Sequence, residues 1–407
     1  MMWIMFFRVR DDKGTLERIT FDPSDLGIPD RAFVSGRWKS DCRMNGLGNC
    51  SVVSIIAVIG AGVSGLTAAY ELTRLGHQVV VLEKSRGFSG RAGTRRRGAA
   101  CVDHGANFFR TTDPEIAHLV HEILPTDELV EVVGEVWTFD RSGTIVPGDP
   151  VQNGEPKYSY RRGINTLGKL LQKVSGVEVR REVRVARIEK EEGRWLLRDS
   201  GGASHGHFDA VITTAPAPQA AQLLRASTLP GPLQTTLIEA LRASLYHAQF
   251  SFLLGYDESQ SPSRRFHALV NSDGAHAVSW ISFEEDKPGH IPEGNSVLVV
   301  QMSPAWSSRR LERPPEDILP EVLENVSALL PEVAHTPDWW DSQRWMLASP
   351  SSAVNLEALR TGEQENLFFA GDGLCGRGRV PLAMSSGLDA ARRVAAKIEA
   401  FRSAQPR

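Results

Sequence analysis

No apolar run in this chain approaches the ~20 residues that a membrane-spanning helix needs. Met1 to Phe7 is apolar, but Arg8, Arg10, Asp11 and Asp12 follow at once. That stretch is too short for a secretory h-region and lacks a cleavage pattern. Cysteine is scarce. Cys42, Cys50, Cys101 and Cys375 show no metal-ligand spacing, so no metal is expected. They suit reduced thiols in a cytoplasmic protein, although Cys42 and Cys50 could pair if oxidised. A strong charge of one sign is also lacking. The net charge of −3 makes neither nucleic acid nor an anionic membrane an expected partner. Arg95 to Arg97 is a short basic run, either a solvated loop or a neighbour of cofactor phosphates. Lysine is absent from residues 235–260, and Lys287 is the only one between Lys190 and Lys397.

What is present is most informative from Ile55 to Glu83. An apolar, mostly β-branched strand runs into Gly60-Ala61-Gly62-Val63-Ser64-Gly65, a helix follows, and a second apolar strand ends on Glu83. That order suits a dinucleotide. Gly60 lets the chain turn sharply, Gly62 lets a pyrophosphate approach the backbone, and Gly65 lets the helix pack closely on the sheet. The helix N-terminus offers free N–H groups to phosphate. Glu83 can accept from both hydroxyls of an adenosine ribose, which suits FAD or NAD better than NADP. The alternative is a glycine-rich turn with no ligand. Leu66, Ala69, Tyr70 and Leu72 give the helix an apolar face, and Gly76 is a natural stop.

With 407 residues the chain can bury a large core in two domains. Residues 1–50 show no clear periodicity and read as an extension, ordered or disordered, or as an artefact of start-codon choice, since Met44 lies just upstream of the first strand. The other option is a strand or lid added to the domain. After Glu83 comes Lys84, then Gly90-Arg91 and Asp103-His104-Gly105-Ala106-Asn107-Phe108-Phe109. A nicotinamide dehydrogenase does not need this second glycine–arginine loop. FAD does, because its longer chain needs further donors. The alternative for Arg91 is a surface salt bridge. Tyr160 to Leu167 opens a helix that runs through about Val174. Gly176 to Val179, Val183 to Ile188 and Trp195 to Arg198 read as strands, with a hairpin at Glu192-Gly193. Phe208 to Ala215-Pro216 is a buried strand ending in a turn. Composition shifts from about 220 to 345, with strands at Ala248–Leu254, Ala277–Phe283 and Ser296–Met302. Late in the chain, a strand ends in Gly371-Asp372 and a helix opens at Val380-Pro381-Leu382-Ala383-Met384.

These motifs resemble the flavin-containing amine oxidase superfamily, whose signature continues as acid, short loop, Gly-Gly-Arg. Ser89 stands where the first of those glycines usually is, so it must take a conformation that glycine adopts more readily. The closest likeness is to the renalase-like branch, carried by Asp103 to Phe109, by Ser279-Trp280 with Asp286-Lys287-Pro288-Gly289, by Ser303 to Ser307, and by Gln343-Arg344-Trp345. The likeness spans roughly residues 54–400. It implies an α/β fold: a discontinuous Rossmann-type FAD domain with an inserted α+β substrate domain carrying an antiparallel sheet. The expected division is 51–110, 156–220 and 346–407 for FAD, and 111–155 and 221–345 for substrate.

The resemblance also implies adenine contact at Val185, closure of the nucleotide domain at Ala215-Pro216, a ribityl or pyrophosphate contact at Asp372, and flavin contact at the helix N-terminus from Val380 to Met384. It further implies oxidation of a dihydronicotinamide-type substrate, with electrons passed to dioxygen. Hydride transfer to flavin needs no strong protein base, only a planar slot. Asn107, Phe109, Trp280 and Trp345 are the candidates to line it, each equally open to core packing. His104 and His247 are candidate proton acceptors, each more often structural. Lys287 reads as an exposed turn lysine, which disfavours the lysine-assisted amine mechanism. Cys375 raises covalent flavin attachment, with a small buried residue the favoured alternative. An amine oxidase or desaturase, and a non-catalytic flavin binder, stay open.

Overall fold

The computed structural model describes residues 5–10, 16–21, 42–44, 50–260 and 264–403, with side chains from residue 53 onward except that of Arg402. Residues 1–53 and 54–407 are two separate compact units. In the first, Met5–Arg10 pairs antiparallel with Leu16–Phe21, and Cys42–Met44 with Cys50–Val52. The order of the rest of residues 1–50 and the side chains of Cys42 and Cys50 lie outside the described residues.

The second unit is built on a parallel five-stranded sheet, in the order Glu178–Arg181, Gln78–Glu83, Ile55–Ile59, Ala210–Thr213, Leu367–Phe369. Parallel strands are covered on both faces, which is why they read as continuous apolar runs. Ile56 and Val58 face one core cluster with Leu66 and Leu72, while Ala57 faces the other with Leu197 and Val211. Each large side chain so buried contributes about 1.5–3 kcal/mol. The helix Val63–Arg74 packs against the closing helix Val380–Ser403. A Cβ at Gly387 would overlap the carbonyl of Ser64, so the two helices meet backbone to backbone. Buried Glu71 ties them further, accepting from Arg392 of the closing helix at 3.0 Å and, within its own helix, from Arg74 at 2.8 Å.

The second large sheet has seven strands, in the order Ile145–Val146, Glu135–Phe139, Phe266–Asn271, Val278–Phe283, Ser296–Met302, Tyr246–Tyr256, Trp339–Pro350. All pairs are antiparallel except Glu135–Phe139 with Phe266–Asn271. The three expected strands are present, and four are added: Glu135–Phe139, Ile145–Val146, Phe266–Asn271 and Trp339–Pro350. The expected division at 345/346 falls inside the strand Trp339–Pro350, whose Ser349 and Pro350 pair with His247 and Tyr246. One face, with Phe250, Phe252, Leu298 and Val300, packs on the helix Pro315–Leu329. The other face carries the candidate site.

Candidate active site

The opening turn forms as its glycines demand. Gly60 has φ +110°, a region open to glycine, and a Cβ there would press on the Thr214 hydroxyl. A Cβ on Gly65 would overlap the Gly60 carbonyl, whereas Gly62 faces open space within 4 Å. Ser64 Oγ is buried at the helix N-terminus without a partner, beside the first helical N–H groups, which have no acceptor within the helix. Glu83 is buried and accepts from Ala61 N–H and Ser85 N–H, both at 2.7 Å. Each of its oxygens keeps a second lone pair for a sugar hydroxyl. An open cradle, an orphaned hydroxyl and a carboxylate with spare acceptor capacity fit the ADP half of an extended dinucleotide.

Ser89 does take the left-handed conformation, at φ +73°. Its side chain offsets the strain locally. The hydroxyl donates to Asn165 O at 2.9 Å and accepts from Gly168 N–H at 3.1 Å, while its own N–H reaches Ala61 O at 2.8 Å. Gly90, also at positive φ, follows in the same turn. Lys84 leans away and donates to Gln219 at 3.0 Å. Burial and the nearby Arg184 lower its pKa.

Arg91 is the hub, rather than a surface salt bridge. Its guanidinium donates to Asp372 at 2.6 Å and to Ala348 O at 3.2 Å, and lies 5.8 Å from the centre of the Tyr246 ring. Its carbonyl accepts from Ala106 N–H at 3.0 Å. One residue thus joins the Gly-Asp motif, 281 positions away, to the segment Asp103–Phe109. Ala215, Pro216, Tyr246, Gly371 and Asp372 line one cleft. Burial and the Asp372 charge raise the Tyr246 pKa, keeping its hydroxyl neutral. Val185 packs at the edge of the neighbouring core cluster. At the closing helix, Val380 and Met384 point into the core with Ala383 against it, so that end offers a ligand backbone rather than these side chains.

The segment Gly105–Phe108 forms a strap against the open face of the inserted sheet. Gln301 Nε2 donates to Gly105 O at 2.7 Å, Ser282 Oγ to Asn107 Oδ1 at 3.2 Å, and Trp345 Nε1 to His104 O at 3.2 Å. Phe108 meets Trp280 at 6.0 Å between ring centres. Trp280 Nε1 and Ser251 Oγ are buried with no partner. Gln249 and Gln343 share this region, Gln343 accepting from Arg95 at 3.1 Å. Asn107, Trp280 and Trp345 therefore converge on the strap. Phe109 does not. Next to Phe108 in an extended segment it points the opposite way, into the core against Tyr158 and Tyr160.

His104 stacks on Trp345, 5.2 Å away and 16° from parallel. Burial, with help from the Arg95 charge, pushes its pKa down to about 4, so the ring is neutral. His247 is exposed on its strand. Cys375 is exposed rather than buried. Lys287 corrects the sequence expectation most sharply: it is fully buried, with its ammonium 2.6 Å from Glu284 and 3.3 Å from Asp103. Asp103, Glu284 and His290 group their oxygens and nitrogens as a metal site would, but the ammonium binds two of the three. The sequence reading missed Tyr246, Gln249, Gln301 and this cluster. The i, i+3, i+6 run Glu284-Lys287-His290 was the available signal.

The family described as flavin containing amine oxidoreductase matches residues 131–395, and a NAD(P)-binding Rossmann-like domain matches 58–123. An L-amino-acid oxidase of Echis ocellatus is 39% identical over 100 residues, 23% of this chain and 19% of its own length. One of Gloydius halys is 42% identical over 100 residues, with the same shares. The chain matches about a fifth of the length of these curated relatives. Cyclohexylamine oxidase from Brevibacterium oxydans IH-35A has a TM-score of 0.66 at 15% identity, covering 85% of this chain and 100% of its own. Reduced UDP-galactopyranose mutase has 0.68 at 13%, covering 84% and 95%. At such identities these two establish the fold alone. The family match spans well over half of the sequence, and with the nucleotide cradle and the Arg91–Asp372 link it makes this chain a member of the flavin containing amine oxidoreductase family, whose cofactor is FAD.

Proposed function

We propose that the protein is a renalase-like oxidase that takes a hydride from a dihydronicotinamide-type or similar small substrate, with dioxygen as the electron acceptor, in the cytoplasm. When bound, FAD supplies the hydride acceptor at its N5. In this reading Ala106, Asn107 and Phe108 meet the flavin, and Trp280 and Trp345 wall a flat slot beside the strap. Gln301 holds Gly105, and Gln343 offers an uncharged amide to a carboxamide-bearing ring. His104, neutral and stacked on Trp345, adds no charge to the slot.

The observation that carries the reading is the absence, among the described residues, of a free amine on this face. The one lysine between Lys190 and Lys397 is sealed against Glu284 and Asp103 and takes no part in the slot. A donor with an activated C–H bond needs alignment over the flavin and no strong base. The named relatives favour a second reading, oxidation of a small amine. No helix of the described residues is long and apolar enough to cross a membrane, and no membrane substrate is invoked.

Anaerobic stopped-flow absorbance of the flavin tests both. Isomeric 2- and 6-dihydronicotinamide dinucleotides should bleach it rapidly, with colour and peroxide returning in air. Bleaching by amines alone overturns the proposal in favour of the second reading.

A further inference from the structure

Asp103, Glu284, Lys287 and His290 have no exposed surface. Asp103 ends the short strand that leads into the strap, and the other three lie in the turn after the strand Val278–Phe283. Lys287 lies between the two carboxylates. His290 Nδ1 faces Glu284 Oε2 at 3.0 Å and Nε2 faces Tyr160 O at 2.9 Å. Both partners are acceptors, so both ring nitrogens carry protons. The carboxylates outweigh burial and raise the His290 pKa, and they raise that of Lys287 as well. Two negative and two positive charges make the cluster neutral.

Its bonds converge on Asp103. Thr94 Oγ1 donates to Oδ1 at 2.7 Å, Ile164 N–H to Oδ1 at 2.9 Å and Ser159 Oγ to Oδ2 at 2.9 Å, while Asp103 N–H donates to Glu284 at 3.0 Å. His290 O accepts from Cys101 N–H at 2.8 Å. Such clusters add little stability over apolar packing, because desolvation offsets the attraction. What they fix is position. Two residues beyond Asp103 the chain is Gly105, where a Cβ would overlap the Arg91 carbonyl, so the strap has little room to shift.

We infer that Lys287 is a positioning residue for the flavin: its ammonium, tying Asp103 to Glu284, sets the register of the Gly105–Phe108 strap against the isoalloxazine. This rests on the strap contacting the flavin, as proposed above, and not on the identity of the substrate. Lys287→Met leaves two buried carboxylates facing one cation. Lys287→Met/Glu284→Gln restores neutrality and is the decisive variant.

The test uses full-length holoprotein and reads the visible absorption of bound flavin, the FAD dissociation constant and the melting temperature. The double variant is expected to melt close to the native protein, to bind FAD about tenfold more weakly, and to show a shifted flavin band. A native band and native affinity in the double variant overturn the inference. So does a lowered melting temperature with band and affinity unchanged, which marks a purely structural cluster. If neither variant folds, Ser159→Ala removes one bond to Asp103 without altering any charge, and the same readouts decide. None of these measurements involves a substrate, so a protein that ignores dihydronicotinamides leaves the test intact.

Discussion

The nucleotide-binding half and the inserted sheet each bury a glutamate, in different company. Glu83 is held by two backbone N–H groups, at 2.7 Å each. Glu284 is held by an ammonium, an imidazolium and a backbone N–H. Neutral donors leave Glu83 a full charge and unused lone pairs beside an open cradle. The cations around Glu284 balance its charge inside the protein. Burial of a carboxylate therefore does not mark a ligand site. A charge held only by neutral donors beside an open cradle is the better sign, and by that measure Glu83 fits a ligand where Glu284 is matched within the protein.

The largest effect that tests this contrast is at Lys287. Removing one partner of a buried ion pair costs about 3–5 kcal/mol. Lys287→Met should lose that much stability by urea denaturation, and Lys287→Met/Glu284→Gln should recover most of it. An unchanged midpoint in the single variant would mean that Glu284 and Asp103 already share a proton, and the contrast with Glu83 would fail. The pH profile carries the same logic. The pKa of Glu284 is lowered to about 2 by Lys287 and His290 despite its burial. Its share of stability is present above 4.5 and is lost as pH falls through about 2.

The nucleotide half was legible because its function constrains its backbone. Glycines at 60, 62 and 65 answer to one turn, and the acid at 83 to one hydrogen-bonding task. Even Ser89 was readable as a residue forced to positive φ. The inserted sheet was only half legible. Three of its strands were found, but Trp339–Pro350 was not, since one of its faces carries Asp341, Gln343 and Trp345 in place of an apolar set. Lys287 was misplaced for a related reason. Asp-Lys-Pro-Gly has the local chemistry of an exposed turn, and only a partner 184 residues away reverses that. Phe109 and Phe108 could not be told apart, because alternation shows that neighbours face opposite ways without saying which faces the site.

A histidine gives the next effect in size. His104 is nearly buried, and its pKa falls from 6.5 to about 4, which corresponds to roughly 3 kcal/mol. The unfolded chain takes up a proton below 6.5 that the folded chain refuses until about 4. His104 therefore costs nothing above 6.5, and stability is lost progressively as pH falls through that window. His104→Gln should flatten denaturation midpoints between pH 6.5 and 4.5. An equally steep profile in the variant would assign the slope to other groups. His290 has the opposite sign, its contribution being complete below 6.5 and lost as pH rises through its raised pKa. At Glu83 the expectation separates binding from folding. Glu83→Gln presents an NH2 group to one of two N–H donors, costing about 1–3 kcal/mol. FAD affinity should fall further than apoprotein stability. Equal losses would make Glu83 as structural as Glu284.

The smallest effect is the most specific to the inserted sheet. Gln301 is only partly buried, its Nε2 donates to Gly105 O at 2.7 Å, and its backbone pairs across the sheet with Trp280. Gln301→Leu keeps the volume close and removes one hydrogen bond, worth about 0.5–1.5 kcal/mol net. The strap is also held by Trp345 and by the Arg91 carbonyl, so it stays in place and FAD affinity should barely change. What should move is the alignment of substrate over the strap, which converts that energy into a roughly two- to tenfold loss of the anaerobic flavin reduction rate. A loss of FAD with no change in reduction rate would put Gln301 with the cofactor rather than the substrate. The division of labour between the two halves would then run through the strap itself and not along its edge.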